Sequence, residues 1–243
     1  MNDALLPAPA PRVVLALGEG VVADELFDLG AVIARAYAWP LIVRVGANVG
    51  LHVAAELPFV KQIDVAGVPR AWTPRHAQRA RVRAARHCTL RLQALSREYA
   101  LDARLEEAPG ASLASLLSSL RRDVLVLGSP RTFGAAVRTA RIGVVCRDGA
   151  RDAQVLSTGQ ALADKLQGAL HVLFARDTLP PEPDPRTPRI TRQRTLPSLT
   201  AVVTAARAAR VQVLVLSRSD LAPEDATLQE FLARPGRVVV VLP

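Results

Sequence analysis

The chain has 243 residues, half of them hydrophobic, which allows one large domain or two small ones and excludes a wholly disordered chain. Two cysteines exclude a disulfide-rich scaffold, and no apolar run approaches the roughly 20 residues that a membrane span needs. The N-terminal stretch has early prolines and no apolar signal core, so we expect a cytoplasmic protein.

The net charge of +9 is concentrated in two segments, 70–104 and 178–210, where arginines far outnumber acidic residues. All but two of the 31 basic residues are arginine, a bias that is typical of GC-rich coding and weakens arginine as a signal of function. Aromatic residues make up only 4% of the chain, so base stacking is poorly provided for and a nucleic-acid partner is not expected.

In the first half, short apolar runs alternate with amphipathic stretches. The run "VVLALGEG" (Val13 to Gly20) predicts a buried strand, "ADELFDLGAVIARAYA" a helix, and "WPLIVRV" a second strand. An irregular insertion, 46–74, and an arginine-rich helix, 75–100, come next. A further helix leads into the apolar strand "VLVLG", which ends at Gly128. This alternation predicts βα units and a parallel sheet.

The second half follows the same order. A shift of 129 residues places the first strand, helix and second strand over "IGVVCRDG", "DAQVLSTGQALADKLQ" and "GALHVLF", and a shift of 89 places "VLVLGS" over "VLVLSR". A proline- and arginine-rich loop, 177–197, replaces the arginine-rich helix, and its prolines favour an extended, mobile segment. We therefore predict two tandem, doubly wound parallel-sheet α/β domains, 1–140 and 141–243.

This order of elements resembles the tandem form of the universal stress protein family, whose domains are Rossmann-like. In the second half, "RDG" (Arg147 to Gly149) is similar to the family's Asp-Gly pair after the first strand. In the first half, Glu19 and Gly20 stand at that place. The resemblance covers nearly the whole chain from Arg12 onward. It implies a non-enzymatic stress-response or regulatory protein that acts through contacts with an unknown protein partner.

The resemblance also implies a nucleotide site whose motif is degenerate. Family members that bind ATP have a glycine pattern after the fourth strand, through which main-chain N–H groups surround the phosphates. Gly128 fits the first of its three positions in the first half, but Arg131 stands at the second. In the second half Ser217 takes the first position and Asp220 the second, and a carboxylate opposes phosphate binding. No cofactor is therefore expected.

The alternative is a regulator that binds ATP or another adenine nucleotide and hydrolyses it slowly. Arginine would then replace glycine as the phosphate donor. Asp148 favours a site at the second half, because ligands bind outside the carboxyl ends of strands in open α/β sheets. As the first acid of a helix it is equally well explained without a ligand. The candidate nucleotide-binding residues are Glu19, Gly20, Gly128, Ser129, Arg131, Asp148 and Gly149.

The C-terminal stretch "RVVVVLP" predicts a fifth strand in the second half. In the first half, the residues between "VLVLG" and "RIGVVC" leave no room for a separate fifth strand. An unpaired apolar edge strand attracts a partner strand. We therefore predict a homodimer in which Val239 and Val241 belong to a strand that pairs with its counterpart in a second chain.

The arginine-rich helix carries a basic stripe with steps of four, four and three residues. Its members are Arg75, Arg79, Arg83 and Arg86, broadened by Arg81, Arg91 and Arg97. This stripe predicts a solvated face, or else a surface that binds an acidic partner or another anionic polymer. The four histidines and two cysteines share no metal-ligand spacing, so no metal is expected. With no nucleophile elbow and no Walker lysine in the sequence, an enzyme is not expected either.

Overall fold

The computed structural model describes residues 10–17, 24–47, 61–63, 67–71, 73–109, 113–128, 140–147, 149–174, 190–195, 198–221, 226–234 and 236–243. The first half contains the strands β1 (Val13–Leu17), β2 (Leu41–Ala47), β3 (Lys61–Ile63), β4 (Pro69–Ala71), β5 (Ala103–Pro109) and β6 (Val124–Gly128). Its helices are α1 (Asp24–Tyr37), α2 (Pro74–Tyr99) and α3 (Leu113–Ser119). The strands β3 and β4 form a separate antiparallel pair inside the predicted insertion.

The second half contains the strands β7 (Arg141–Cys146), β8 (Ala169–Phe174), β9 (Ile190–Thr195), β10 (Val213–Ser217) and β11 (Val238–Leu242). Its helices are α4 (Gly149–Lys165), α5 (Leu199–Ala208) and α6 (Ala226–Leu232), and a short 3₁₀ turn, Arg218–Asp220, follows β10. The prediction of a loop over 177–197 is thus wrong in part, because Ile190–Thr195 is a strand that pairs with β8. The rest of that loop lies outside the described residues.

One sheet of nine strands unites the two halves, in the order β5-β2-β1-β6-β11-β10-β7-β8-β9. Within this sheet the strands of each half pair in parallel, and the halves meet at β6 and β11, which run antiparallel with Val126 opposite Val240. The carboxyl ends of the first half's strands therefore point away from those of the second half. This arrangement confirms the predicted doubly wound, mainly parallel α/β fold.

Helices cover both faces of this sheet, as a parallel sheet requires. On one face α1, α2 and α4 pack over a core that includes Phe27, Leu95 and Leu162. On the other face α3, α5 and α6 pack over a second core, centred on Val203 and Phe231. Among the described helices, none combines the length and apolarity that crossing a membrane requires.

The predicted pairing of β11 with a second chain is wrong. One edge of β11 pairs with β10 and the other with β6, so the strand has no free edge for a partner. Val239 and Val241 are completely buried. The physical reason is that β6 ends the first half with an open edge, which the apolar C-terminal strand covers within the same chain. A homodimer through another surface stays a prediction.

Helix α2 has sequence signals at both ends that explain its bounds. The side chain of Thr73 accepts a hydrogen bond from the His76 N–H, and Pro74 occupies the first turn, where its missing N–H costs nothing. The helix ends at Tyr99, and the next residue, Ala100, adopts a left-handed backbone conformation with φ 53°. The predicted arginine-rich helix is therefore present, shifted by one residue.

Candidate functional site

The strand order creates two places where a ligand could enter the sheet. In each half the chain winds outward from its first strand and returns on the other side, so a switch point lies between β1 and β6 and another between β7 and β10. We call the carboxyl ends of β1 and β6 the first crevice, and those of β7 and β10 the second crevice. Because β6 and β11 are antiparallel, the two crevices lie at opposite ends of the sheet.

The predicted nucleotide-binding residues are divided between these crevices. Gly128 ends β6 at the first crevice, whereas Glu19, Gly20, Ser129 and Arg131 lie outside the described residues. At the second crevice, Gly149 begins α4 and Asp148 lies outside the described residues.

Gly128 has a packing role that needs no ligand. A Cβ atom at this position would lie 2.3 Å from Leu26 Cδ1 and 2.6 Å from Leu26 Cδ2. Leu26 belongs to α1 and is 1% exposed, so it has little room to move. The glycine thus lets α1 lie close to the end of β6, which explains its presence without a phosphate.

At the second crevice, carboxylates of the chain itself occupy the main-chain donors. The Arg147 N–H, just beyond β7, donates to Asp152 Oδ1 at 2.8 Å. The Ser217 N–H, at the end of β10, donates to Asp220 Oδ2 at 3.2 Å. In a phosphate-binding loop such N–H groups face the ligand. Here both are already hydrogen-bonded to an anionic group.

The electrostatic field at the second crevice is correspondingly unfavourable to anions. Burial, with Asp152 and Asp220 adding to it, raises the pKa of the Cys146 thiol to about 12. A phosphate placed beside these N–H groups would meet the same two carboxylates. The described residues of the second crevice therefore do not fit the phosphates of a nucleotide.

Sequence reasoning anticipated part of this arrangement. Asp220 stands where the phosphate-binding pattern would have its second glycine, and a carboxylate at that position is expected to oppose phosphate binding. Asp152 was missed, since an acid in the first turn of a helix is common and stabilises the N-terminus of almost any helix. Only the fold shows that this carboxylate reaches back to the main chain at the end of β7.

Two arginines beside the second crevice were also missed, and both are already paired. Arg218, in the turn after β10, donates to the carbonyl oxygen of Leu117 and, at 3.4 Å, to that of Asp123. Arg12 forms an ion pair with Asp123 at 3.0 Å between Nη2 and Oδ2. Burial lowers the pKa of Arg218 despite the nearby Asp123. Arg218 thus joins the second half to the first, whereas the pair of Arg12 and Asp123 lies within the first half, and neither arginine is free to bind a ligand.

The outer face of α2 carries the predicted basic stripe. Its four arginines are exposed, and none forms an ion pair within the part of the chain that the structure describes; they are Arg75, Arg79, Arg83 and Arg86. Val82 and Leu90 are also exposed on this helix, by 56% and 58%. The opposite side buries Ala77, Cys88, Leu92 and Leu95. The helix therefore presents arginine and apolar side chains together to solvent.

Arg91 does not belong to that stripe, and its predicted place there is wrong. Its guanidinium pairs with Asp28 and lies 4.0 Å from Asp24 Oδ1, both on α1. His87 Nε2 lies 2.9 Å from the same Asp24 oxygen. Burial raises the pKa of Asp28, although Arg91 acts in the opposite direction. Arg91 and His87 therefore attach α2 to α1 instead of facing a partner.

His76 and His171 lie at structural positions, whereas His52 lies outside the described residues. His76 Nδ1 lies 3.1 Å from both Thr73 Oγ1 and the carbonyl oxygen of Ala71, at the start of α2. His171 is buried within β8. Among the residues described, no group of three His, Cys, Asp or Glu side chains comes together as metal ligands.

The described fold and the two crevices define a doubly wound α/β protein. No model of a known family matches the sequence, and no curated protein matches it. The chain is similar in structure to a universal stress protein from Archaeoglobus fulgidus DSM 4304, with 10% identity, 94% of this chain and 95% of that one covered, and a TM-score of 0.49. It is also similar to a functionally unknown protein from Pseudomonas aeruginosa PAO1, with 13% identity, 94% and 92% covered, and a TM-score of 0.44. Both likenesses concern the fold only.

Proposed function

We propose that the chain is a non-enzymatic, universal-stress-like regulatory protein that acts through protein contacts in a stress response. The observation that carries this proposal is the state of the second crevice, where carboxylates hold the main-chain N–H groups that a nucleotide's phosphates would need. The packing role of Gly128 supports it, since the best surviving position of the glycine pattern is explained by α1. A fold of this kind, whose described second crevice does not fit a nucleotide's phosphates, is suited to presenting a surface.

The surface that we propose for the partner is the outer face of α2. Exposed arginines contact carboxylates in a forked geometry, and the exposed Val82 and Leu90 add apolar area between them. Charged groups steer such partners and set specificity, while the apolar atoms gain from desolvation. The partner is accordingly a protein with an acidic surface that also offers apolar side chains.

The first experiment tests for a nucleotide. Freshly purified protein is denatured, and the supernatant is analysed for adenine nucleotides. A separate native sample is titrated with ATP, ADP and AMP in a calorimeter. We expect no co-purified nucleotide, and no heat from ATP, ADP or AMP beyond that given by inorganic phosphate at the same concentration. Nucleotide at near-stoichiometric levels would replace the proposal by the alternative, an adenine-nucleotide-binding regulator.

The second experiment tests the face of α2 with two defined probes, an acidic peptide containing leucine and a DNA duplex of equal charge. The double variant Arg79→Gln/Arg83→Gln is compared with Arg121→Gln/Arg122→Gln, which removes the same charge from exposed positions between α3 and β6. We expect the first variant alone to lose peptide binding. Preference for the duplex, with an affinity that falls steeply as salt is raised, would favour the anionic-polymer alternative.

A biological readout completes the test. A strain without the protein is complemented with the wild type, with the α2 double variant and with the control double variant, and survival is measured under several stresses. The proposal predicts that the α2 variant behaves like the deletion strain while the control behaves like the wild type. Equal survival of all strains under every stress would contradict the assignment to a stress response.

A further inference from the structure

The start of β11 lies beside the first crevice, which the sequence alone does not indicate. Because the halves are antiparallel, β11 begins where β6 ends, and Val238 lies opposite Gly128. Arg237 comes just before this pair and is therefore at the end of the sheet that carries the first crevice. Val238 belongs to the core under α1 and α2, so Arg237 lies on the other face, beside α5 and α6.

Two more arginines lie at or beside α6, close enough to Arg237 to act on its pKa. The guanidinium carbon of Arg237 lies 5.3 Å from the centre of the Phe231 ring. Arg234 is three residues further along the chain than Phe231, and its N–H donates to the Phe231 carbonyl oxygen at 3.4 Å. Arg207, in the last turn of α5, pairs with Glu230. We call Arg207, Arg234 and Arg237 the arginine cluster.

The positive charge of this cluster is incompletely balanced. Nη1 of Arg237 is buried, and within the described part of the chain it has no hydrogen-bond partner. Of the acidic residues that the structure describes, Glu230 alone pairs with the cluster, through Arg207. Burial, together with Arg234 and Arg207, lowers the pKa of Arg237. Cationic groups that are drawn together, one with an unsatisfied buried donor, are costly in the free protein and are relieved by an anion.

We propose that Arg237, with Arg234 and Arg207 beside it, binds a phosphate-type oxyanion at the end of β6. The planar guanidinium offers two parallel donors that match two phosphate oxygens, while its face stays on Phe231. The site is built by the second half of the chain and uses neither the glycine pattern nor the second crevice. It is independent of α2, so either proposal can fail without the other.

The test is a titration of inorganic phosphate, and in parallel of AMP, followed by ³¹P NMR at constant ionic strength with chloride as the balancing anion. We expect saturable binding that Arg237→Gln weakens about tenfold or more, as the loss of a charge-assisted hydrogen bond does. Arg237→Lys keeps the charge but not the two parallel donors of the guanidinium, and we expect a smaller loss of phosphate affinity than with Arg237→Gln. The matched control is Arg121→Gln, an exposed arginine outside the cluster, which should bind as the wild type does.

The outcomes separate the two sources of phosphate. Tighter binding of inorganic phosphate identifies a free-anion site, and tighter binding of AMP identifies the phosphate end of a nucleotide. Circular dichroism shows whether each variant is folded, and Arg234→Gln provides a second substitution that leaves the contact with Phe231 intact. No saturable binding by the wild type, or equal losses in Arg237→Gln and Arg121→Gln, would overturn the proposal.

Discussion

Replacing Gly128 by alanine tests whether this glycine serves packing or a ligand. The new Cβ would lie 2.3 Å from Leu26 Cδ1 and 3.0 Å from Leu26 Cγ, well inside van der Waals contact, while Leu26 is held in the core under α1. Overpacking of this kind costs about 1–3 kcal/mol. Alanine also restricts the unfolded chain more than glycine does, which stabilises the folded state by about 0.4–1 kcal/mol. We expect a net destabilisation of about 1–2 kcal/mol, from the difference of these two effects.

The decisive comparison is made in the background of Leu26→Ala, which removes the atoms that the new Cβ would meet. That substitution alone costs about 2–5 kcal/mol, as other deletions of buried leucine do. With the clash gone, Gly128→Ala should become neutral or slightly stabilising, since only the effect on the unfolded chain remains. The two substitutions are thus expected to be strongly non-additive.

Urea unfolding followed by circular dichroism gives the free energy of unfolding of the wild type, both single variants and the double variant. Gly168→Ala is the matched control, because its Cβ would lie 2.1 Å from the carbonyl oxygen of Ala140, a main-chain atom that no rotamer can move. It should destabilise the protein equally with and without Leu26. An equal cost of Gly128→Ala in both backgrounds would refute the packing explanation.

Three further predictions concern other parts of the molecule. Burial raises the pKa of both Cys146 and Cys88, so a thiol reagent at pH 8 should modify neither until the protein is unfolded; rapid labelling of the native protein would contradict this. The amide of Val240 should exchange with deuterium as slowly as the core of the sheet, and equally slowly at every protein concentration, because β11 is central within one chain. Asp28 has a pKa above its ordinary value of 3.8, so the folded state keeps this proton to a higher pH, and the contribution of this carboxyl to stability falls as pH rises from 3.8 through the folded pKa. Arg91→Gln should raise that pKa further, measured by carboxyl ¹³C NMR, and a decrease would show that Arg91 does not stabilise the carboxylate.

The regular part of the sheet could be predicted because its strands are short, apolar and uninterrupted. Residues 124–128 (VLVLG) and 213–217 (VLVLS) each follow a helix, and both form strands where the sequence predicts them. The strand β9 could not be recognised in the same way, since Arg192 and Arg194 alternate with other residues at the edge of the sheet and prolines precede them. Edge strands tolerate such charge, which makes them resemble loops in the sequence.

The candidate site was less predictable, because its properties arise from contacts between distant segments. The sequence shows that β11 needs a neighbour, but it does not show whether that neighbour belongs to the same chain. Asp152 becomes part of a crevice only through its hydrogen bond to the main chain of Arg147. The sequence does not distinguish Arg237 from the other arginines, and only the pairing of β11 with β6 places it beyond Gly128 and against Phe231. Local patterns contain no information of this kind.

The central position of β11 has a consequence for how the protein is made. Ten of the eleven described strands precede β11 in the chain, so all of them are synthesised before the strand that joins the halves. Until then β6 presents an open row of main-chain donors and acceptors, and its partner is separated from it by nearly half of the chain. A nascent chain that stalls before Val238 would carry this open edge on its first half. Such intermediates are suited to wrong strand pairing and therefore depend most on chaperones.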